Sequence, residues 1–228
     1  MNKVVLTYYY TGEQDFWHPE LKETKKPDPL DFFVLKKSVD QFPDWEFHTL
    51  SNEFIPNWGY TQIKKPEHQT LYTYKFIAIR QWLIDHPEYE WIWIVDTSDT
   101  QMLQDPPMRE DILYTGLDCY SRKRKKYQSV RTLVNGGFRR FKYNSATHRE
   151  LMKVGMKPCF NCGVLGGHRK ILLEFLDILC DRLNDFNPAL EMVEFNWVLF
   201  NDFIDKVQIV TTKLNNFEID KTKWWRHK

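Results

Sequence analysis

Two carboxylates, Asp96 and Asp99, close an apolar and aromatic run, Tyr89-Glu-Trp-Ile-Trp-Ile-Val95. Trp91, Ile92, Trp93, Ile94 and Val95 are aromatic or β-branched and too few to cross a bilayer, so the run reads as a buried strand. A buried parallel strand delivers its last residues to the carboxyl edge of its sheet, where α/β proteins keep their ligands. Two acids at that edge cost free energy unless something positive sits between them, and a divalent cation is the simplest such group. The chemistry this spacing suits is metal-assisted handling of a phosphorylated ligand.

Other reactive side chains suit fewer roles. Cys159-x-x-Cys162 has only His168 nearby, whereas a zinc site needs a second ligand pair at compact spacing. A redox Cys-x-x-Cys sits at a helix start, and here glycines intervene. With Cys119 and Cys180 standing alone, all four cysteines read as structural thiols. Ser51, Ser98 and Ser145 lack the strand–turn–helix setting of a nucleophile elbow. Glu191 and Glu194 are three residues apart, hence on one face near the start of a helix. The dense basic run of residues 122–126 reads as a solvated loop, with anion binding as the alternative.

These residues need elements that bring them to one edge. Residues 3–10 read as a first strand that turns at Thr11-Gly12, and alternation sends at least one of Tyr8, Tyr9 and Tyr10 toward a ligand. A charged loop carries the chain to Pro29, poised to fold over a site. The spacing then predicts a helix over 29–42 with an apolar face of Phe33, Leu35 and Val39, and a strand over 45–50. Pro56, Gly59 and Pro66 make 54–69 a loop. Tyr72, Phe76, Ile79 and Leu83 repeat at helical spacing over 71–86, with Pro87 as the stop. Lys75 lies off that stripe, either as a solvated lysine or in reach of a phosphate.

Past the carboxylates, 101–107 reads as a turn, 112–120 as a strand and 146–154 as a short helix. From Cys159 a short strand enters a glycine turn that opens a helix striped by Leu172, Leu176, Leu179 and Leu183. Gly163, Gly166 and Gly167 let a ligand approach the backbone closely. Their spacing is neither that of a phosphate-binding loop nor the dinucleotide fingerprint. Asn187-Pro188 starts a helix to about residue 203, residues 205–211 form a last strand, and 221–228 are a basic, aromatic tail.

A chain of 228 residues with 42% apolar and 16% aromatic content buries a proper core and is not a disordered segment. A net charge of +1 gives no global field for nucleic acid. No stretch reaches the length of a membrane span, so the expectation is a soluble cytoplasmic α/β protein folded as one domain.

Val95-Asp-Thr-Ser-Asp99 resembles the metal-binding Asp-x-Asp motif of nucleotide-sugar glycosyltransferases of the GT-A fold, here as Asp-x-x-Asp. Phe160-Asn-Cys-Gly-Val-Leu-Gly166 is similar to the Asn-Ser/Ala-Gly-x-x-Gly segment that those enzymes place beside the donor sugar. Glu191-Met-Val-Glu-Phe-Asn196 resembles their Asp-Gln-x-x-Phe-Asn helix. The spacing is nearest to collagen hydroxylysine glycosyltransferase domains, which also use a late His. Cys162 stands where Ser or Ala is usual and Glu191 where Asp is usual, and residues 121–158 have no counterpart.

The resemblance implies a Rossmann-like, mainly parallel sheet flanked by helices, with a nucleotide-binding part over about 1–120 and a sugar and acceptor part over about 121–228. It implies Mn²⁺ or Mg²⁺ held directly by Asp99, directly or through water by Asp96, and by His227 as a late ligand, an oxygen and nitrogen set that favours Mn²⁺. Lys228 or Lys223 then neutralises diphosphate charge. Tyr8 or Tyr10 stacks on the base, with Thr7 and Thr11 hydrogen-bonding near it and Asp96 also contacting the ribose. Asn161, Gly163 and Gly166 line the sugar pocket. Glu191 or Glu194 faces the sugar or the acceptor hydroxyl, as general base if configuration is inverted. The donor is a nucleoside-diphosphate sugar, UDP first, and the acceptor a glycan or glycoprotein hydroxyl. Two other readings stand beside it. A sugar-1-phosphate nucleotidyltransferase needs a glycine- and lysine-rich loop after the first strand, which Tyr8-Tyr-Tyr-Thr-Gly12 does not supply. A non-catalytic carbohydrate-binding domain would use the nine tryptophans as platforms.

Overall fold

A computed structural model describes residues 2–11, 29–55, 58–97, 100–105, 107–117, 120–121, 126–127, 153, 157, 159–185, 191–213 and 223–227. The elements are β1 (Asn2–Tyr9), α1 (Pro29–Val39), β2 (Trp45–Ser51), β3 (Gly59–Gln62), α2 (Leu71–Asp85), β4 (Tyr89–Val95), β5 (Thr100–Met102), β6 (Leu113–Leu117), the short pair β7 (Tyr120–Ser121) and β8 (Lys126–Tyr127), β9 (Phe160–His168), α3 (Arg169–Asp185), α4 (Glu191–Val198), β10 (Val207–Ile209), β11 (Thr211–Lys213) and β12 (Trp225–His227). Seven strands form the central sheet in the order β10-β6-β9-β4-β1-β2-β3. β3, β2, β1 and β4 are parallel, as are β6 and β10, while β9 runs antiparallel to both of its neighbours. The fold is thus α/β, with a mostly parallel sheet flanked by helices. Among the described residues no helix is long and apolar enough to cross a membrane.

β4 is buried on both faces, which is why its sequence is continuously apolar rather than alternating. Ile92 and Ile94 join one core with Phe76 and Ile79 of α2, Leu172 and Leu176 of α3 and Phe195 of α4. Trp91, Trp93 and Val95 join the other with Phe32, Leu35 and Val39 of α1, Met102 of β5 and Trp225 of β12. α2 begins at Thr70, whose side chain accepts from Thr73 N at 3.2 Å, a side-chain cap for one otherwise unpaired helical amide.

Several expectations change. On α1 Leu35 and Val39 are buried as expected, but the aromatic that joins them is Phe32, while Phe33 is 55% exposed. β3 lies inside the segment expected as loop. It is an edge strand held by backbone pairing to β2, which tolerates the neighbouring proline and glycine. β5 replaces the expected turn after the carboxylates, and β10 and β11 divide the expected last strand. The helix expected over 146–154 falls almost wholly outside the described residues.

The glycines of the expected turn lie inside a nine-residue strand, β9. Gly166 faces Trp93 across the β4–β9 pair, and a Cβ there lies 2.1 Å from the indole Cε3. Gly166 therefore makes room for Trp93 in the core rather than for a sugar. Because the indole is fully buried and has nowhere to move, Gly166→Ala is expected to destabilise the fold by about 3 kcal/mol, the upper end of overpacking costs. A chemical denaturation midpoint close to that of the unaltered protein contradicts this packing account.

Candidate functional site

β4 ends at Val95, so Asp96 emerges at the carboxyl edge of the parallel strands. Its backbone is braced on both sides. Asp96 N donates to Gly163 O at 2.9 Å, and Thr100 Oγ1 donates to Asp96 O. Thr97 Oγ1 lies 2.8 Å from Thr7 Oγ1 and 3.1 Å from Tyr8 O, the two acceptors open to its single proton. Thr97 and Thr100 were not singled out in the sequence, although hydroxyls flanking a strand-end acid commonly bond to nearby backbone.

The Asp96 carboxylate carries the site. Oδ1 accepts from Lys75 Nζ at 2.6 Å, with the lysine side chain 9% exposed and that of Asp96 41% exposed. Lys75 thus comes up from α2 beneath an acid that is open to solvent, and is not a solvated lysine. Burial by itself works against both charges. Their mutual attraction outweighs it, holding Asp96 well below the usual carboxylate range and pushing Lys75 up, so both are ionised at neutral pH.

Oδ2 lies 3.8 Å from His227 Nε2. The residues expected as a basic tail form β12, which pairs antiparallel with β5 and places His227 opposite Thr100. Trp225, fully buried 5.3 Å from Trp93, anchors the strand in the core. On the next position Arg226 turns the other way to donate to Gln101 Oε1 at 3.2 Å. Gly163 completes the wall. A Cβ there lies 2.4 Å from His227 Nε2 and 2.6 Å from Asp96 Oδ2, so only glycine keeps the gap between the two donors open.

Two donors each about 2.1 Å from a shared divalent cation and 3.8 Å apart subtend about 130° at it, wider than neighbouring octahedral positions, so sharing an ion would take a small shift of either side chain. Among the described residues no three acidic, His or Cys side chains gather as a metal-holding group. Asp99, the expected direct ligand, lies outside the described residues, as does Lys228. Lys223 donates to Ile209 O at 3.5 Å.

Glu191 opens α4 and is 5% exposed. Burial, reinforced by the nearby Asp96 charge and opposed by local backbone N–H groups and Lys75, pushes its carboxyl up to about 7. A carboxyl poised there is able to give or take a proton near neutral pH. Glu194 does not share this environment. Its Oε2 accepts from Arg182 Nε of α3 at 2.7 Å, and that guanidinium stacks 3.5 Å from the Trp197 ring centroid. Three residues apart on one helix, Glu191 joins the cluster while Glu194 ties α4 to α3, so the expected catalytic role for Glu194 is corrected to a structural one.

The remaining candidates divide. Asn161 Oδ1 accepts from Gly163 N at 2.6 Å, which shapes the strand beside the gap. Cys162 lies close enough to Lys75, Glu191 and Asp96 to feel their charges, but burial pushes its thiol up, so it is no thiolate nucleophile. Tyr8 and Tyr10 stand nearly parallel, 6.2 Å apart and 16° between planes, with Tyr74 edge-on to Tyr8 at 6.5 Å. Thr7 is corrected. It is fully buried, and its hydroxyl donates to Val95 O at 2.8 Å, joining β1 to β4. Thr11 is buried and held by Asn52 and Glu53 after β2, its N bonded to Asn52 Oδ1 at 2.9 Å and its hydroxyl to Glu53 Oε1 at 3.0 Å.

No protein-family model matches the chain, and no curated protein matches it.

Proposed function

We propose that this chain is a metal-dependent glycosyltransferase of the GT-A type, moving a sugar from a nucleoside-diphosphate donor, UDP first, to a hydroxyl of a glycan or glycoprotein. The observation that carries the reading is the meeting of Asp96 and His227 across Gly163, with Lys75 beneath and Glu191 alongside. Asp96 and His227, with Asp99, would hold Mn²⁺ or Mg²⁺ beside the donor diphosphate. When bound, the cation neutralises the charge that develops on the departing diphosphate. Lys75 keeps Asp96 ionised and oriented. Glu191 takes the acceptor proton if configuration is inverted and orients the sugar if it is retained. Tyr8 and Tyr10 offer a stacking face for the base at the end of β1.

A thermal-shift screen of nucleoside-diphosphate sugars with and without Mn²⁺ tests this. A donor near saturation is expected to raise the melting temperature by about 5 °C or more, only with the cation. Pyrophosphate release from a nucleoside triphosphate and a sugar phosphate points instead to a nucleotidyltransferase. A shift given by glycan alone and indifferent to chelator points to a binding domain.

A further inference from the structure

Asn196 is a fully buried amide among apolar neighbours, one position from Phe195 on α4. Its Oδ1 accepts from Phe160 N at 2.8 Å, and its Nδ2 donates to Phe160 O at 2.9 Å and to Met192 O at 2.8 Å. One side chain therefore brackets both backbone polar groups of Phe160, as a neighbouring strand does, and ties them to the first turn of α4. Phe160 is the residue immediately before Asn161, and Met192 the residue immediately after Glu191. The β6–β9 ladder slips at this point, with Thr115 opposite Leu165 and Gly116 opposite Asn161. Cys162, Gly163 and Val164, the residues that follow Asn161, are thus left out of the β6–β9 ladder. A buried amide is tolerated only when satisfied, and satisfying it fixes one geometry where an apolar contact allows several.

We propose that Asn196 is a positioning residue for the transfer reaction, setting the spacing between Glu191 on α4 and Asn161 on β9. This rests on the transferase reading above. The groups that meet the cation and diphosphate are carried by other elements, Asp96 after β4, Lys75 on α2 and His227 on β12. Loosening the bracket therefore separates turnover from nucleotide binding.

The test compares Asn196→Ala and Asn196→Ser with Val198→Ala, a buried truncation on the same helix. Serine can still bond Met192 O but cannot bracket Phe160. Three quantities are read: Mn²⁺-dependent UDP affinity, kcat with the donor found by screening, and amide hydrogen exchange. In both Asn196 variants kcat is expected to fall about 30-fold or more while UDP affinity stays within about twofold, a loss of reaction geometry rather than of binding. Exchange is expected to quicken about tenfold both at Phe160–Gly163 and at Glu191–Val193, and in neither region for Val198→Ala. Equal loss of kcat in Val198→Ala at a matched drop in melting temperature overturns the inference, as does quickened exchange in one region without the other. Should the alanine variant fail to fold, the serine variant decides by the same criteria. Should the unaltered protein show no Mn²⁺-dependent UDP binding, the transferase reading falls, and the paired exchange response alone judges whether Asn196 couples the two segments.

Discussion

Asp96→Asn is expected to lower sugar transfer by about 10³-fold and to abolish the dependence of UDP binding on Mn²⁺. Removing one preorganised charge from a site where diphosphate charge develops costs about two to three orders of magnitude in rate, and Asp96 has two tasks there. Oδ2 is the oxygen that faces His227 across the Gly163 gap, and Oδ1 is the partner of Lys75. Asparagine keeps an oxygen for the lysine but loses the charge that draws the cation. The fold should survive. Breaking a fully buried ion pair costs about 3–5 kcal/mol; the lysine left behind is only 9% exposed, and the open Asp96 position with the retained amide oxygen brings the expected loss to about 2–3 kcal/mol. Steady-state kinetics with thermal melting separates the two effects. A variant that keeps a tenth or more of the turnover contradicts the assignment.

Glu191→Gln is expected to give the second-largest loss, about 10²–10⁴-fold in kcat if the reaction inverts configuration, because general-base assistance of that size disappears. Under the proposed reaction the unaltered protein then shows a limb rising through about pH 7, where Glu191 ionises, and the variant has no such limb. Stability should move the other way. The folded-state pKa of about 7 lies above the ordinary value of 4.5, so between them the unfolded chain releases a proton that the folded protein keeps. Stability is therefore lost as pH rises through this window and stays lost above it, by at most about 3 kcal/mol. Glutamine removes the buried charge, so the variant should melt higher than the parent at pH 8 and about equally at pH 4. Melting curves that show no gain at pH 8 contradict the assignment of a strained, buried carboxyl. A large gain in stability without loss of turnover assigns Glu191 to the fold alone.

The parts of the fold that could be read from sequence are those with long, uninterrupted patterns. β4 shows itself by a continuous apolar run, and α2 and α3 by leucine and aromatic residues at helical spacing, because each buries a whole face. β5 and β12 are three residues long and pair with each other across a long stretch of chain, and four-residue β3 is an edge held by β2, so local preference carries little of their signal.

The site divides in the same way. Asp96 and His227 were legible by residue type, and the structure brings them together through a strand that had looked like a tail. Lys75 was not legible as a buried group, because a lysine on an amphipathic helix is nearly always solvated, and its partner enters 21 residues later. The glycines of β9 suggested a turn, since glycine weakens strands. Here what matters is their missing Cβ, for the Trp93 ring at Gly166 and for the Asp96–His227 gap at Gly163. Glu191 and Glu194 look equivalent in sequence, and only the position of Arg182 on another helix tells them apart.

The central claim is that Asp96 and His227, held open by Gly163, bind a divalent cation shared with a nucleoside diphosphate. Calorimetric titration of UDP into the unaltered protein and into Asp96→Asn, each with Mn²⁺ and with chelator, tests it most directly. The account predicts binding by the unaltered protein with Mn²⁺ only, and none by the variant under either condition. UDP binding that is indifferent to chelator, or Mn²⁺-dependent binding retained by Asp96→Asn, contradicts it.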